Sequence, residues 1–224
     1  MFENIRLADL PERAVRVLRA PSSTRPAIWL LEEEGAGAVV KDFSVNHAWY
    51  RHTAGRFLVW REQKALRRLA GVPGVPRLIG VVDGVAIVME RLPGRTLENL
   101  EQERTLDPNF FDRLQEAVLQ CHARGVAHCD LKRAANILFG DDGRPYIIDW
   151  GASISASEFR FFGLRRIFER FEEDDLLAVI KVKLRHCPDQ VSAEEKARLY
   201  RRSAPERLIR RLRDRLREVL QRVA

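Results

Sequence analysis

The stretch HCDLKRAANILFGDDGRPYIIDWG, residues 128–151, sets two aspartates, Asp130 and Asp149, on either side of Asn136, with an apolar run beside each. An ionised carboxylate next to Ile147 and Ile148 must find a cation or strong donors to offset its desolvation. A strand devoted to packing would not end that way. The segment reads as a hairpin, with Asn136 to Phe139 as one strand, Asp142-Gly143 as the turn and Tyr146 to Ile148 as the return strand. Such a hairpin carries Asp149 back toward Asn136 and Asp130. Three oxygen-bearing side chains meeting at strand ends suit a hard cation such as Mg²⁺, which takes few protein ligands and bridges to phosphate oxygens. The chemistry implied is phosphoryl transfer.

Other elements must position these residues. Residues 14–20, 27–34 and 37–43 pattern as three strands, the first two joined by PSSTRP and the next two by a tight Gly35-Ala36-Gly37 turn, so an antiparallel meander follows. Lys41 follows Val39 and Val40 in the third strand, and an inward ammonium there needs a partner. A helical pattern over roughly 56–70 puts Leu58, Ala65, Leu66 and Leu69 on one face, and Glu62 falls on that face too. Taken alone, Lys41 reads as a snorkelling lysine and Glu62 as a solvated helix residue; together they read as an inward pair. PRLIGVVDG and VAIVMERL add two strands before Pro93-Gly94 breaks the pattern, which completes a five-stranded sheet with one helix.

The second half changes character. Asp107-Pro108 opens a helix whose apolar stripe is Phe110, Phe111, Leu114, Val118 and Cys121. After the DWG triplet comes a poorly patterned stretch, then a buried helix over 174–184 and Arg-rich helices to Ala224. The chain has 224 residues, 46% of them hydrophobic, enough for one domain or two small lobes. Three cysteines without metal-ligand spacing, and no signal-peptide pattern, point to a reducing compartment, hence the cytoplasm. No run approaches the roughly 20 apolar residues of a membrane span. The net charge of +7 is concentrated in residues 198–224, which hold ten arginines against three acids.

The ordered set AVVK, an inward Glu, IVME, HxDLK with a following Asn, and DxG resembles the protein-kinase-like superfamily over about residues 28–151. In its brevity the chain is nearest to small atypical bacterial members, the RIO-like kinases and the lipopolysaccharide core (Kdo/heptose) kinases. The resemblance implies a two-lobed α+β fold in a single domain over 1–224, with an N-lobe (1–92) of five antiparallel strands and one helix, and a reduced, mostly helical C-lobe (93–224). It implies ATP and Mg²⁺ as cofactors. Lys41 would hold the α- and β-phosphates and pair with Glu62, Asp130 would be the catalytic base, Lys132 would neutralise the γ-phosphate, and Asn136 and Asp149 would bind the metal. Glu90 and Leu92 would meet adenine through their backbones, with Met89 limiting the depth of the pocket. Asp174 or Asp175 would accept backbone N–H bonds from the HCD turn, and the ring of His128 would hold that turn.

The chain departs from the family pattern in several places. Five residues instead of four separate Asp130 from Asn136, so the backbone must bulge there. The first strand connection is PSSTRP instead of a glycine-rich loop, which leaves Ser22, Ser23 and Thr24 to cover the phosphates. Cys129 replaces the arginine that receives an activation-loop phosphate in many protein kinases. Ala204-Pro205-Glu206 lies too far along the chain to be the family's A-P-E triplet and is read as coincidence.

Two classes of function follow. One is a kinase that phosphorylates a hydroxyl, with protein Ser/Thr favoured and a lipopolysaccharide core sugar at the inner membrane as the alternative acceptor. The other is a nucleotide-binding pseudokinase scaffold, disfavoured because Lys41, Asp130 and Asp149 are all present. The basic tail, with Leu208, Leu212 and Leu216 at helical spacing, reads as a helix packed on the domain or, alternatively, as a peripheral contact with an anionic membrane surface. No aromatic residue interleaves its arginines after Tyr200, which argues against nucleic acid.

Overall fold

The computed structural model describes residues 2, 5–100, 106–159 and 164–200. A short helix, α1 (Leu10–Arg13), leads into strands β1 (Arg16–Arg19), β2 (Ala27–Glu33) and β3 (Ala36–Asp42). Glu33 pairs with Ala36, so the β2–β3 turn is Glu34-Gly35, with both residues at positive φ as a two-residue hairpin of this hand requires. The turn therefore lies one residue earlier than the sequence suggested, and Ala36 and Gly37 belong to β3. A helix follows, running from α2 (Ala48–Tyr50) through a π turn (Arg51–Gly55) into α3 (Arg56–Arg68). Its buried stripe is Val59, Glu62, Ala65 and Leu66, continued by Leu69, while Leu58 is half-buried at the edge. Strands β4 (Leu78–Val82) and β5 (Ala86–Glu90) complete an antiparallel sheet of order β1-β2-β3-β5-β4.

Both faces of this sheet are covered. Ile87 and Met89 on the inner face join Val59, Leu66 and Leu69 in the main core, with Val39, Leu78 and Val81 packed against it. The outer face buries Leu31, Ala38, Val40, Ala86 and Val88 beneath Phe2, Ile5 and Leu10. The charged N-terminal segment thus hides an apolar stripe that clasps the sheet. The Phe2 N–H donates to Glu33 Oε2 at 2.7 Å, and Arg13 pairs with the same carboxylate.

The second half is mostly helical. Strand β6 (Arg95–Thr96) and α4 (Leu97–Leu100) precede α5 (Pro108–Ala123). Asp107 caps α5 by accepting from the Asn109 N–H at 3.0 Å, and Phe110, Phe111 and Leu114 are fully buried, each contributing roughly 1.5–3 kcal/mol. Strands β7 (Val126–Ala127), β8 (Ile137–Phe139), β9 (Pro145–Ile147) and β10 (Ile154–Ser155) form two small sheets, β6-β8-β9 and β7-β10. Gly94 has φ 142°, and a Cβ there would lie 2.4 Å from the Phe139 carbonyl oxygen, so only glycine lets the chain cross the hairpin this closely.

Helix α6 (Arg165–His186) starts well before the expected 174–184, because its polar first half buries little beyond Phe168 and gives a weak apolar signal. Helix α7 (Ala193–Tyr200) follows. Among the described residues no helix is long and apolar enough to cross a membrane. Ala204-Pro205-Glu206 and the tail leucines Leu208, Leu212 and Leu216 lie outside the described residues. Of the tail arginines, Arg198 is described, and it makes a two-pronged contact with Glu173 of α6 at 2.8 and 2.6 Å.

Candidate active site

Side chains alternate along β3, so Lys41 shares the inner face with Val39. There its ammonium is buried, 2.6 Å from Glu62 Oε1 and 2.8 Å from Asp149 Oδ1. Glu62 comes from the buried face of α3, and its Oε1 also accepts the Trp150 N–H at 3.2 Å. Asp149 ends the β8–β9 hairpin in a left-handed conformation, φ 67°. That turn aims its carboxylate toward Lys41 and sends Trp150 into the core, where the indole Nε1 donates to the Ile147 carbonyl at 3.1 Å.

The segment between β7 and β8 carries Asp130 and is tied to the chain just before Asp149 through His128. Asp175, buried in α6, accepts the backbone N–H groups of His128 at 2.6 Å and Cys129 at 2.8 Å, and the ring Nε2 of His122 lies 3.2 Å away. Cys129 is also left-handed, with φ 67°. The clamp on its N–H offsets the cost of that conformation. The His128 ring bridges the turn: Nε2 lies 3.0 Å from the Ile148 carbonyl, and Nδ1 receives the Asp130 N–H at 3.3 Å. Only the neutral tautomer protonated on Nε2 satisfies both contacts. Of the two expected aspartates, Asp175 is thus the clamp, and it sits within α6 instead of opening the helix.

Asn136 reaches Asp130 despite the extra residue. The chain absorbs that residue in two tight turns, with the Arg133 N–H donating to the Asp130 carbonyl and the Asn136 N–H to the Arg133 carbonyl, so the expected β-bulge is absent. Asn136 Nδ2 donates to the Asp130 carbonyl at 3.0 Å and to Asp130 Oδ2 at 3.3 Å. Asn136 itself lies in the second of these turns, and β8 begins one residue later.

Electrostatics follow the geometry. Burial opposes the Lys41 charge, but Glu62 and Asp149 outweigh it and hold the ammonium above its ordinary pKa. Lys41 in turn, against the opposing effect of burial, holds Asp149 down at about 2. Burial pushes His128 below its ordinary value, only partly countered by Asp175, which fits a neutral ring.

The remaining expected residues are spread more widely. Lys132 is exposed beside Asp130. Met89 is buried opposite Val39, and Glu90 ends β5 with its N–H bound to the Arg77 carbonyl. Leu92 is half-buried just beyond that strand. Ser22, Ser23 and Thr24 are exposed, and the contact that holds their turn comes from Asn46, whose Nδ2 donates to the carbonyls of Ser22 at 2.6 Å and Arg25 at 3.0 Å. An Asp149 carboxylate and an Asn136 amide oxygen are hard oxygen donors of the kind Mg²⁺ takes, few enough to leave coordination positions for phosphate oxygens.

Three contributors escaped the sequence reading. His122 backs Asp175, Arg133 Nη1 lies 3.8 Å from Asp130 Oδ2, and Arg61 Nε donates to the Ser153 carbonyl at 3.0 Å, tying α3 to the segment after Trp150. Pattern alone could not single them out, because each looks like an ordinary polar surface residue.

Lys41 and Glu62 should behave as one unit. Removing one charge strands the other in a buried site, so Lys41→Met alone should cost roughly 3 kcal/mol, while Lys41→Met with Glu62→Gln should cost less than the sum of the single changes by at least about 1 kcal/mol. Urea unfolding of the four proteins measures this coupling. Full additivity would contradict it.

With this geometry in place, comparison with known proteins assigns the fold. Residues 32–160 match the family model described as the protein kinase domain. The chain is 35% identical over 115 residues to CBL-interacting serine/threonine-protein kinase 12 of Arabidopsis thaliana, covering 48% of this chain and 23% of that one. It is 30% identical over 127 residues to CBL-interacting protein kinase 16 of Oryza sativa subsp. japonica, covering 54% and 28%. To casein kinase II subunit alpha' of Saccharomyces cerevisiae it is 30% identical over 103 residues, covering 42% and 30%. The matches span less than a third of the length of these relatives. The five-stranded antiparallel sheet, its single long helix and the helical second half agree with the match, and the chain belongs to the protein kinase domain family.

Proposed function

We propose that this chain transfers the γ-phosphoryl group of ATP to a hydroxyl, with a protein serine or threonine as the favoured acceptor. The observation that carries the reading is the Lys41 ammonium held between Glu62 and Asp149, together with an Asp130 that Asn136 hydrogen-bonds. The names of the matched relatives, serine/threonine-protein kinases among them, favour the protein acceptor. The core cluster contains Phe43 and Met89 as well as Phe110 and Trp150, which supports a single working domain with lobes at 1–92 and 93–224.

In this reading Asp130 accepts the proton of the acceptor hydroxyl as its oxygen bonds to the γ-phosphorus and the bond to the bridging oxygen of ADP breaks. Asn136 Nδ2 keeps the Asp130 carboxylate aimed. Lys41 contacts the α- and β-phosphates, and Lys132 offsets charge on the transferred group. Glu90 and Leu92 meet adenine through their backbones, and Ser22, Ser23 and Thr24 border the phosphates. Asn136 and Asp149 would hold Mg²⁺, which neutralises charge on the phosphate oxygens.

The test is labelled-ATP transfer run in parallel on protein fractions and on purified lipopolysaccharide, with Asp130→Asn as the control. Label on protein serine or threonine that vanishes in the control is the expected result. Label on lipopolysaccharide alone would move the acceptor to a core sugar and give the basic tail a role at the inner membrane surface. Nucleotide binding without transfer to either would make the chain a scaffold.

A further inference from the structure

Strand β1 contains an irregularity. Arg16 pairs with Leu30 and Val17 with Trp29, but Ile28 pairs with Arg19, so Leu18 is the extra residue of a β-bulge. Regular alternation would set Leu18 opposite Ile28 and turn Arg19 to the outer face. With the bulge, Arg19, Ile28 and Lys41 form one row across three strands. Paired residues in such a row project to the same face, so Arg19 looks onto the space where Lys41 meets Asp149, from two strand spacings away, about 10 Å. Partial burial holds its guanidinium below the ordinary arginine value, with Asp149 opposing and Arg25 and Arg133 adding to the effect. Arg19 is exposed, and no hydrogen bond or ion pair engages its guanidinium among the described residues.

Two features make this placement consequential. The Lys41 charge already faces two carboxylates, so a polyanion arriving here needs another cation. The connection that follows, residues 20–26, contains no glycine, has prolines at 21 and 26 that lack an N–H, and uses the Ser22 N–H to bind the Arg25 carbonyl. That leaves the N–H groups of residues 20, 23, 24 and 25, on a connection without the glycines that would let them turn together toward one phosphate.

We propose that Arg19, turned inward by the bulge at Leu18, binds the polyphosphate of the nucleotide donor from the β1 side of the site, adding a guanidinium to what the β1–β2 connection offers. The proposal rests on the reading of the site as a nucleotide site. A guanidinium offers two parallel donors to phosphate, which suits one side chain replacing several amides.

The experiment measures dissociation constants of the full chain for Mg-ATP and for adenosine by calorimetry, in the native protein, Arg19→Gln, Arg19→Lys and the exposed control Arg67→Gln. Arg19→Gln should weaken Mg-ATP roughly tenfold or more and leave adenosine and the thermal midpoint unchanged. Arg19→Lys should fall between, and Arg67→Gln should match the native protein. Native affinity for Mg-ATP in Arg19→Gln overturns the proposal and leaves the reading of the site intact. Equal losses for ATP and adenosine overturn it as well, since the effect would not be on phosphate. A native protein that binds no Mg-ATP removes the reading of the site, and the proposal with it.

Discussion

An Asp149→Asn protein is expected to fold normally and to lose Mg²⁺-dependent phosphoryl transfer by about a thousandfold. The substitution keeps the shape of the side chain and removes the anionic oxygen that would hold the metal. Lys41 retains Glu62 at 2.6 Å, and the Asp149 side chain is 46% exposed, so little packing is lost. Because Lys41 holds the Asp149 carboxyl at about 2, the group is ionised throughout the working range. The loss should therefore be equally deep in mildly acid and mildly alkaline buffer. Transfer at the native rate by a folded variant would remove Asp149 from the proposed role, and circular dichroism alongside the assay separates that outcome from unfolding.

The largest effect on stability should come from Asp175→Ala. Its carboxylate is 2% exposed and accepts from the N–H groups of His128 and Cys129 with His122 alongside, so truncation leaves one buried and one part-buried amide without an acceptor. The expected cost is about 3–5 kcal/mol in urea unfolding followed by circular dichroism. Asp175→Asn retains one carbonyl oxygen and should cost less. A loss below about 1 kcal/mol for the alanine variant would show that the clamp is dispensable to the fold.

How much of this could be read in advance depended on the kind of signal. The hairpin that returns Asp149 toward Asn136 was legible, because Ile137–Phe139 and Tyr146-Ile147 carry apolar residues around Asp142-Gly143. The pairing of Lys41 with Glu62 was legible for a similar reason: each is an awkward charge on an otherwise apolar face. Three features were not. The turns that absorb the extra residue before Asn136 depend on backbone hydrogen bonds that leave no residue pattern. The bulge at Leu18 reverses the side on which Arg19 emerges, and a period-two reading of VRVLR cannot detect it. The N-terminal clasp of Phe2, Ile5 and Leu10 buries three residues scattered among charges, too few for a periodic stripe. Where placement depended on alternation it could be predicted; where it depended on one inserted residue or a distant docking surface, tertiary contacts decided.

The clamp on the HCD turn also bears on the ionisation of the thiol beside Asp130. Cys129 Sγ points at the Ala127 carbonyl, 3.7 Å away, and burial together with the Asp175 carboxylate pushes the thiol up to about 12. Near neutral pH this disfavours the thiolate, the form that peroxides and alkylating reagents attack. Cys121, under the same two influences, is pushed up to about 12 as well. Burial first, and the carboxylate that shapes the loop second, thus disfavour the thiolate of a cysteine one residue from the proposed base, and alkylation of Cys129 in the folded protein is expected to be slower than that of a free thiol.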